Sequence, residues 1–164
     1  MPVPHAYSIQ HSLRQWVQLD RWTHPFAATL TLKQRIGGDG GVSSAAETLT
    51  PEIASRNLRH FLNVLNKRVY GKAAQRFGKR LPVFPVLEGG GGKRLHYHLA
   101  IDCPRDDLLE AFPAMIVTAW RTTLWGYDQT VVTPCDAGWF TYMTKLRDKP
   151  DFASSIDWMN VARH

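Results

Sequence analysis

Two histidines separated by one residue are the strongest candidates for chemistry in this chain. His96 and His98 flank Tyr97 inside the apolar segment 95–102. Side chains alternate between the two faces of a β-strand, so both imidazoles are expected on one face and Tyr97 on the other. Two neutral imidazoles on a rigid strand suit a divalent metal ion. Histidine pairs of this spacing also occur on solvated strands that bind nothing.

A carboxylate precedes the histidines at a distance that suits a hairpin. Residues 81–88 have the composition of a strand that ends at Glu88, and the four glycines at 89–92 predict a flexible turn. If the two strands pair antiparallel, Glu88 lies across from the histidines. Two imidazoles and a carboxylate leave coordination positions open for a substrate oxygen. The alternative is that Glu88 merely ends a strand.

A tyrosine and a lysine three residues apart form a third motif near the C-terminal end. Asp136 is a candidate N-cap, and residues 138–147 predict a short helix with Tyr142 and Lys145 on one face. A tyrosine can act as a covalent nucleophile, and a nearby ammonium can favour the phenolate or hold the phosphate that it attacks. On its own, such a pair is usually structural.

Taken together, the order of these motifs resembles the HUH endonuclease superfamily, in its single-tyrosine rolling-circle replication initiator (Rep) type. The histidine motif at 96–98 and the tyrosine motif at 142–145 match those of the family. Glu88 stands where many such initiators have an acidic metal ligand. The family's apolar first strand has a looser counterpart in residues 26–32. The resemblance covers most of the chain.

The resemblance implies a metal-dependent reaction on single-stranded DNA at an origin or hairpin. A divalent ion, Mn²⁺ or Mg²⁺, would be held by His96, His98 and Glu88 and would polarise the scissile phosphate. Tyr142 would attack phosphorus, and Lys145 would assist by its charge. The products would be a 5′-phosphotyrosine adduct and a free 3′-hydroxyl, which permits religation or strand transfer. Because the chain has no ATPase signature, a separate helicase is an expected partner for duplex DNA.

Positive charge is concentrated in the middle of the chain. The formal net charge is +6, and ten of the 20 lysines and arginines lie between Arg56 and Arg94, where Glu88 is the one acidic residue. A field of one sign attracts polyanions, and this favours nucleic-acid binding over a merely solvated helix face and basic loop. The candidate DNA-binding residues are Lys79, Arg80, Lys93 and Arg94.

The pattern of elements predicts an α+β fold, with an antiparallel sheet of about five strands and helices packed on one face, as in a ferredoxin/RRM-like HUH core. The length suits a single nuclease domain over residues 1–164. Two long helices are expected, one capped by Thr50 and one interrupted by Pro113. The predicted strands are residues 26–33, 82–88, 95–102, 130–133 and 155–161.

Cysteine usage and hydropathy exclude several classes of protein. Cys103 and Cys135 have no partners at metal-ligand spacing and predict neither a disulfide framework nor a structural zinc site. No apolar stretch approaches the roughly 20 residues that span a bilayer. The sequence therefore predicts a cytoplasmic protein without a membrane partner.

Three alternative functions remain open from the sequence. A non-catalytic module could bind single strands by stacking bases on Tyr97 or Trp139, with incidental histidines. A hydrolase could use the metal and a bound water, which would leave Tyr142 structural. A single-tyrosine transposase of the same superfamily would share the chemistry of an initiator but not its biological role.

Overall fold

The computed structural model describes residues 4–38, 45–145 and 152–163. Leu146 and Arg147, at the end of the predicted tyrosine helix, lie outside these ranges. The helices of the described chain are α1 (Pro4–Val17), α2 (Pro51–Tyr70), α3 (Lys72–Phe77), α4 (Phe112–Arg121) and α5 (Ala137–Met143). The strands are β1 (Pro25–Leu32), β2 (Arg35–Ile36), β3 (Glu47–Thr48), β4 (Val83–Gly90), β5 (Lys93–Asp102) and β6 (Gly126–Pro134).

Four strands form one antiparallel sheet in the order β4-β5-β1-β6. In the β4–β5 hairpin Glu88 pairs with His96, and on the other side of β5 the β1 residue Thr29 pairs with His98. The strands β2 and β3 form a separate two-stranded ribbon. The architecture confirms the predicted α+β class, with four strands in the main sheet of the described residues.

One face of this sheet, called the back face here, carries Tyr97, Leu99 and Ile101 of β5 and is covered by α2 and α4. Helix α2 begins as predicted, because the Thr50 side chain accepts a hydrogen bond of 3.3 Å from the backbone N–H of Ile53. The fully buried side chains that α2 and α4 contribute include Leu58, Phe61, Leu65, Phe112, Ile116 and Trp120. The main hydrophobic core therefore lies between these helices and the back face.

The opposite face, called the front face, carries His96, His98 and Ala100 of β5 and has its own smaller core. Helices α1 and α5 pack there against β4. The buried members of this front cluster are Leu13, Val17, Trp22, Phe84, Val86, Ala100, Phe140, Met143 and Ile156. Helix α1 is not predicted from the sequence, and it makes the front face a second packed layer.

Pro113 divides the second predicted long helix. Residues Asp106–Leu108 form a single 3₁₀ turn, and α4 starts at Phe112, so that Pro113 lies in its first turn. Proline is tolerated there because the first backbone N–H groups of a helix have no intrahelical acceptor. The apolar stripe of the predicted helix is retained on α4 and faces the core.

The C-terminal segment does not form the predicted fifth strand over residues 155–161. A 3₁₀ turn at Phe152–Ser155 is followed by isolated bridges of Ile156 to Val86 and of Ala162 to Val83. Between the bridges the chain turns inward, and Asp157 accepts hydrogen bonds from Ser55, Tyr97 and Asn160. These polar contacts interrupt the ladder, so the segment covers the edge of β4 without extending the sheet.

Neither cysteine forms a disulfide, as predicted, and Cys103 is buried while Cys135 is partly buried. Burial, together with the charge of Asp136, raises the pKa of the Cys135 thiol to about 11. Among the helices of the described residues, none has both the length and the apolar composition needed to cross a membrane.

Candidate active site

The turn between β4 and β5 sets the position of the carboxylate. Gly89 has a φ of 108°, and a Cβ atom there would collide with the backbone carbonyl of Arg94. The register shifts at this point, between Glu88 and Gly90. Only glycine adopts this backbone at low cost, so the turn that aligns Glu88 with His96 depends on it.

The hairpin brings Glu88, His96 and His98 together on the front face, as the sequence predicts. The Oε2 atom of Glu88 lies 3.2 Å from Nε2 of His98 and 3.6 Å from Nε2 of His96. The two Nε2 atoms are 3.2 Å apart. One ligand atom from each residue falls within 4.8 Å of the others. Of the three side chains, His98 is buried and the other two are partly exposed.

Hydrogen bonds to the other ring nitrogens orient both imidazoles. Nδ1 of His96 donates to the carbonyl oxygen of Arg94 at 3.0 Å, so Nε2 is the ring nitrogen that carries the lone pair and faces the cluster. Nδ1 of His98 lies 3.2 Å from the hydroxyl of Thr29. Two imidazole nitrogens and a carboxylate oxygen converge on one point, and a divalent cation could lie between them. The donor set therefore fits a divalent metal ion, and such outer hydrogen bonds are typical of metal-bound histidines.

Helix α5 carries the predicted nucleophile beside this centre. The Asp136 side chain caps the helix by accepting from the backbone N–H of Gly138 at 2.9 Å, as predicted. Phe140 and Met143 anchor the helix in the front cluster. The Tyr142 side chain is 44% exposed and lies outside that cluster. An anchored helix with an accessible phenol suits a nucleophile that must reach an external substrate.

An aromatic group connects the tyrosine to the candidate metal ligands. The ring of Tyr142 stacks on Trp139 with a centroid separation of 5.5 Å and an interplanar angle of 22°. Both rings meet His98 edge to face, Tyr142 at 5.5 Å and Trp139 at 5.4 Å. The indole N–H of Trp139 donates to the carbonyl oxygen of Leu99 at 3.0 Å and fixes the indole on β5. The sequence left Trp139 undecided between core packing and base stacking.

Lys145 meets Tyr142 by a different geometry from the one predicted. Helix α5 ends at Met143, so Lys145 is not a helical neighbour of Tyr142. The chain closes with a turn in which the backbone N–H of Lys145 donates to the carbonyl oxygen of Tyr142 at 3.3 Å. The Lys145 ammonium then lies 4.0 Å from the centre of the Tyr142 ring. The positive charge is therefore next to the phenol, although the helix that was expected to hold it is shorter.

Helix α1 contributes a contact that sequence reasoning missed. The side-chain amide of Gln10 donates to the hydroxyl of Thr144 at 2.9 Å and to the carbonyl oxygen of Thr141 at 3.3 Å. Thr141 and Thr144 lie more than 130 residues after Gln10 in the sequence. Nothing in the local pattern of α1 indicates the contact. Gln10 thus supports the C-terminal end of the helix that carries Tyr142.

The four candidate DNA-binding residues fall in two places. Lys93 and Arg94 begin β5, close to His96, and the Arg94 guanidinium lies 5.0 Å from the centre of the Tyr127 ring on β6. Lys79 and Arg80 precede β4 and lie at the opposite end of that strand from Glu88. The ammonium of Lys79 lies 5.8 Å from the centre of the Tyr70 ring on α2. Only the first pair adjoins the candidate metal centre.

Tyr97 is buried on the back face, as the alternation along β5 predicts. Its hydroxyl donates to Asp157 at 2.8 Å. Burial, with the negative charge of Asp157 as a second cause, raises the pKa of the Tyr97 phenol. With no exposed surface, Tyr97 cannot stack on a base or attack a phosphate. Of Tyr97 and Trp139, the two residues that the binding-module alternative named for base stacking, only Trp139 is therefore accessible to a base.

Comparison with known families gives one match that covers most of the chain. Searches of curated proteins and of solved structures give no match. The family model described as replication-associated protein ORF2/G2P matches residues 25–151. This range begins at β1 and includes the Glu88, His96 and His98 cluster as well as Tyr142 and Lys145. The chain therefore belongs to the replication-associated protein ORF2/G2P family.

Proposed function

We propose that this protein is a metal-dependent endonuclease of the HUH type that nicks single-stranded DNA and transfers the cut strand. The observation that carries the proposal is that one residue joins two sets of chemical groups. His98 belongs to the cluster of candidate metal ligands and also contacts the ring of the exposed Tyr142. A phosphate held at the cluster would therefore lie near a nucleophile. Membership in a replication-associated family supports DNA as the substrate.

Glu88, His96 and His98 would hold the divalent ion. When bound, this ion would supply Lewis-acid polarisation of the scissile phosphate. Mixed nitrogen and oxygen ligands favour Mn²⁺ on ligand softness, whereas Mg²⁺ prefers oxygen alone. Partial exposure of Glu88 and His96 gives a substrate oxygen access to the centre.

The covalent step would use the phenol of Tyr142. Its Oη loses a proton to solvent and forms a bond to phosphorus, while the bond between phosphorus and O3′ breaks. O3′ takes up a proton and leaves as a free 3′-hydroxyl, and the strand remains attached as a 5′-phosphotyrosine. The reverse attack by a 3′-hydroxyl restores the DNA backbone. Because one phosphodiester is exchanged for another, no external energy source is needed.

Charged and aromatic neighbours would position the reacting groups. The ammonium of Lys145 stabilises negative charge on the phenolate oxygen or the phosphate, since it already lies against the Tyr142 ring. Trp139 holds that ring beside His98 by stacking. Lys93 and Arg94, at the start of β5, would bind flanking phosphates. Positioning and charge neutralisation of this kind account for most of the catalysis of phosphoryl transfer.

The biological role that we infer is initiation of rolling-circle replication of a plasmid, phage or mobile element. The nick would leave a 3′-hydroxyl as a primer end, and a separate helicase would open duplex DNA. A single-tyrosine transposase would use the same chemistry. The family match favours replication over transposition.

The test is to incubate the protein with a randomised single-stranded DNA pool and Mn²⁺ and to separate the products by denaturing electrophoresis. We expect a protein band of reduced mobility that resists denaturation. Tyr142→Phe should abolish this band, whereas Tyr127→Phe, a matched change at another partly exposed tyrosine, should retain it. Cleavage that persists in Tyr142→Phe without an adduct would instead support a hydrolase that uses water. Retardation only in native gels, insensitive to Mn²⁺, would support a binding module.

A further inference from the structure

A small cavity lies beside the start of β4, at the opposite end of that strand from Glu88 of the proposed active site. It is an open pocket between α2, the start of β4 and the C-terminal segment, and its volume is about 110 Å³. Its lining residues are Arg59, Leu62, Asn63, Asn66, Arg80, Leu81, Val83, Met159, Asn160, Val161 and Ala162. The wall thus combines two arginines and three asparagines and contains no carboxylate.

Hydrogen-bond donors in this wall remain available for a ligand. Arg59 uses one guanidinium nitrogen to donate to the carbonyl oxygen of Met159 at 2.7 Å, which leaves the rest of the fork free. The buried Asn66 accepts from the backbone N–H of Leu81 at 2.7 Å through its oxygen, so its amide N–H groups are not used by that bond. Arg80 has no hydrogen-bond or ion-pair partner within the described part of the chain. Arg59, Asn63 and Arg80 are exposed at the pocket, and donors without a nearby carboxylate fit an anion from solution.

The size of the cavity restricts the anion to a small one. Pockets that enclose nucleotides or cofactors typically measure about 300 Å³ or more. The volume here is well below that, which suits a single phosphate group rather than a whole nucleotide. Two arginines favour phosphate in particular, because their planar forks bind two oxygens at once.

The position of the cavity relates it to the candidate metal centre. Val83 lines the cavity, and the candidate metal ligand Glu88 is five positions further along β4. At about 3.3 Å per strand residue this separation is about 17 Å.

We propose that this cavity binds a phosphodiester of the substrate DNA. Arg80 is its principal ligand, and Arg59 and Asn63 complete the donor set. The assignment rests on the proposed function, because it takes the same DNA as ligand. It also gives Arg80 a role that its distance from the metal centre would otherwise leave unexplained.

The test measures binding of fluorescent DNA over a range of NaCl concentrations, with a randomised single strand and a hairpin as two separate probes. Arg80→Gln should weaken binding by about tenfold, as expected for loss of a charged hydrogen bond. It should also reduce the slope of log K against log salt by about 0.7 to 0.9. Arg121→Gln is the matched control, because it removes the same charge from an exposed position at the end of α4 and should change little.

A second pair of variants tests the cavity without removing an arginine. Asn63→Asp puts a carboxylate into the wall at nearly constant shape and should weaken binding, whereas Gln75→Glu adds the same charge on α3 outside the cavity. An effect on the hairpin alone identifies a phosphate of the duplex stem, and an effect on both probes identifies one of the single strand. If both cavity variants behave as their controls while adduct formation persists, the cavity assignment is wrong and the proposed nuclease stands. If wild-type protein neither binds nor cleaves DNA, both are wrong.

Discussion

The two faces of strand β5 differ in chemistry although they alternate residue by residue. On the back face Tyr97, Leu99 and Ile101 are fully buried against α2 and α4. On the front face His96 and His98 meet a carboxylate and an aromatic helix. Of these three side chains, only Tyr97 has a polar atom, and its hydroxyl donates a hydrogen bond to Asp157. On the front face, two imidazole nitrogens and a carboxylate oxygen converge on one point.

This contrast indicates a division between stability and function. Burial of an apolar side chain stabilises the fold by about 1.5 to 3 kcal/mol. A cluster of nitrogen and oxygen acceptors in close contact does the opposite unless a proton or a metal ion lies between them. Substitutions on neighbouring residues of one strand should therefore have opposite effects. The following predictions test this comparison.

The largest effect is expected from removal of both imidazoles, in the double variant His96→Ala and His98→Ala. We expect nicking to fall about a thousandfold or more, because Lewis-acid stabilisation of a phosphate is worth several kcal/mol. The melting temperature measured without metal should fall modestly, because the buried His98 ring packs against Trp139 and Tyr142, but the variant should stay folded. Single-turnover cleavage with Mn²⁺ measures the first quantity and circular dichroism the second.

His60→Ala is the control for this double variant, because His60 is exposed on α2 and lies outside the cluster. It should retain wild-type activity. Full cleavage activity in the double variant would contradict the metal centre and with it the division between the faces.

On the back face, Leu99→Ala should produce the reverse pattern. Leu99 is fully buried and is the next residue after His98. We expect the free energy of unfolding to fall by about 3 kcal/mol, which is typical of a cavity left by a buried leucine. The rate of nicking by the folded protein should stay within about twofold. Urea denaturation and single-turnover cleavage below the transition measure the two effects, and a loss of rate as large as that of the histidine variant would break the comparison.

An intermediate effect is expected where the sheet supports the front face. Thr29→Val keeps the shape of the side chain and removes the hydroxyl that contacts Nδ1 of His98. Loss of such an outer hydrogen bond weakens metal binding by about 10- to 100-fold. The Mn²⁺ concentration that gives half-maximal cleavage should rise accordingly, with the rate at saturating Mn²⁺ nearly restored. Thr31→Val, one step along the same face of β1, is the control, and equal effects from both would show that the contact is not specific.

The smallest effect is expected from Tyr97→Phe, which removes the hydrogen bond to Asp157 and should destabilise the fold by about 1 kcal/mol. This change also alters the response to alkaline pH. The pKa of Tyr97 is raised in the folded protein by burial and by Asp157, whereas an unfolded tyrosine titrates near pH 10. The folded state therefore holds a proton that the unfolded state releases, and stability is lost as pH rises above about 10.

In the Tyr97→Phe variant this contribution is absent, so its free energy of unfolding should decline less steeply above pH 10 than that of wild type. The difference in slope should approach about 1.4 kcal/mol per pH unit. Urea denaturation at pH 9, 10 and 11 measures it. Parallel curves for the two proteins would mean that Tyr97 does not keep its proton in the folded state.

The alternation of β5 and the hairpin with β4 could be predicted because they depend on local patterns. A strand period of two assigns His96 and His98 to one face, and a glycine turn of fixed length aligns Glu88 with them. The caps at Thr50 and Asp136 are local for the same reason. The proximity of Glu88, His96 and His98 could therefore be predicted from the sequence.

Features that depend on tertiary contacts could not be predicted. Helix α1 buries Leu13 and Val17 but leaves Ile9 and Trp16 exposed, so its apolar stripe is weak. Its contact with α5 through Gln10 joins residues far apart in the chain. The end of α5 before Lys145 also could not be predicted, because the Thr144 side chain at its C-terminal cap is contacted by Gln10 of α1, which is distant in sequence.

The most direct test of the central claim is to identify the residue that becomes attached to DNA. Protein would be incubated with the randomised single-stranded pool in Mn²⁺ or in a chelator, treated with nuclease and protease, and examined by mass spectrometry for a peptide that carries a nucleotide. We predict the modification on Tyr142 in Mn²⁺ and none in the chelator. Attachment to Tyr127, attachment that does not depend on metal, or cleaved DNA without any modified peptide would contradict the account.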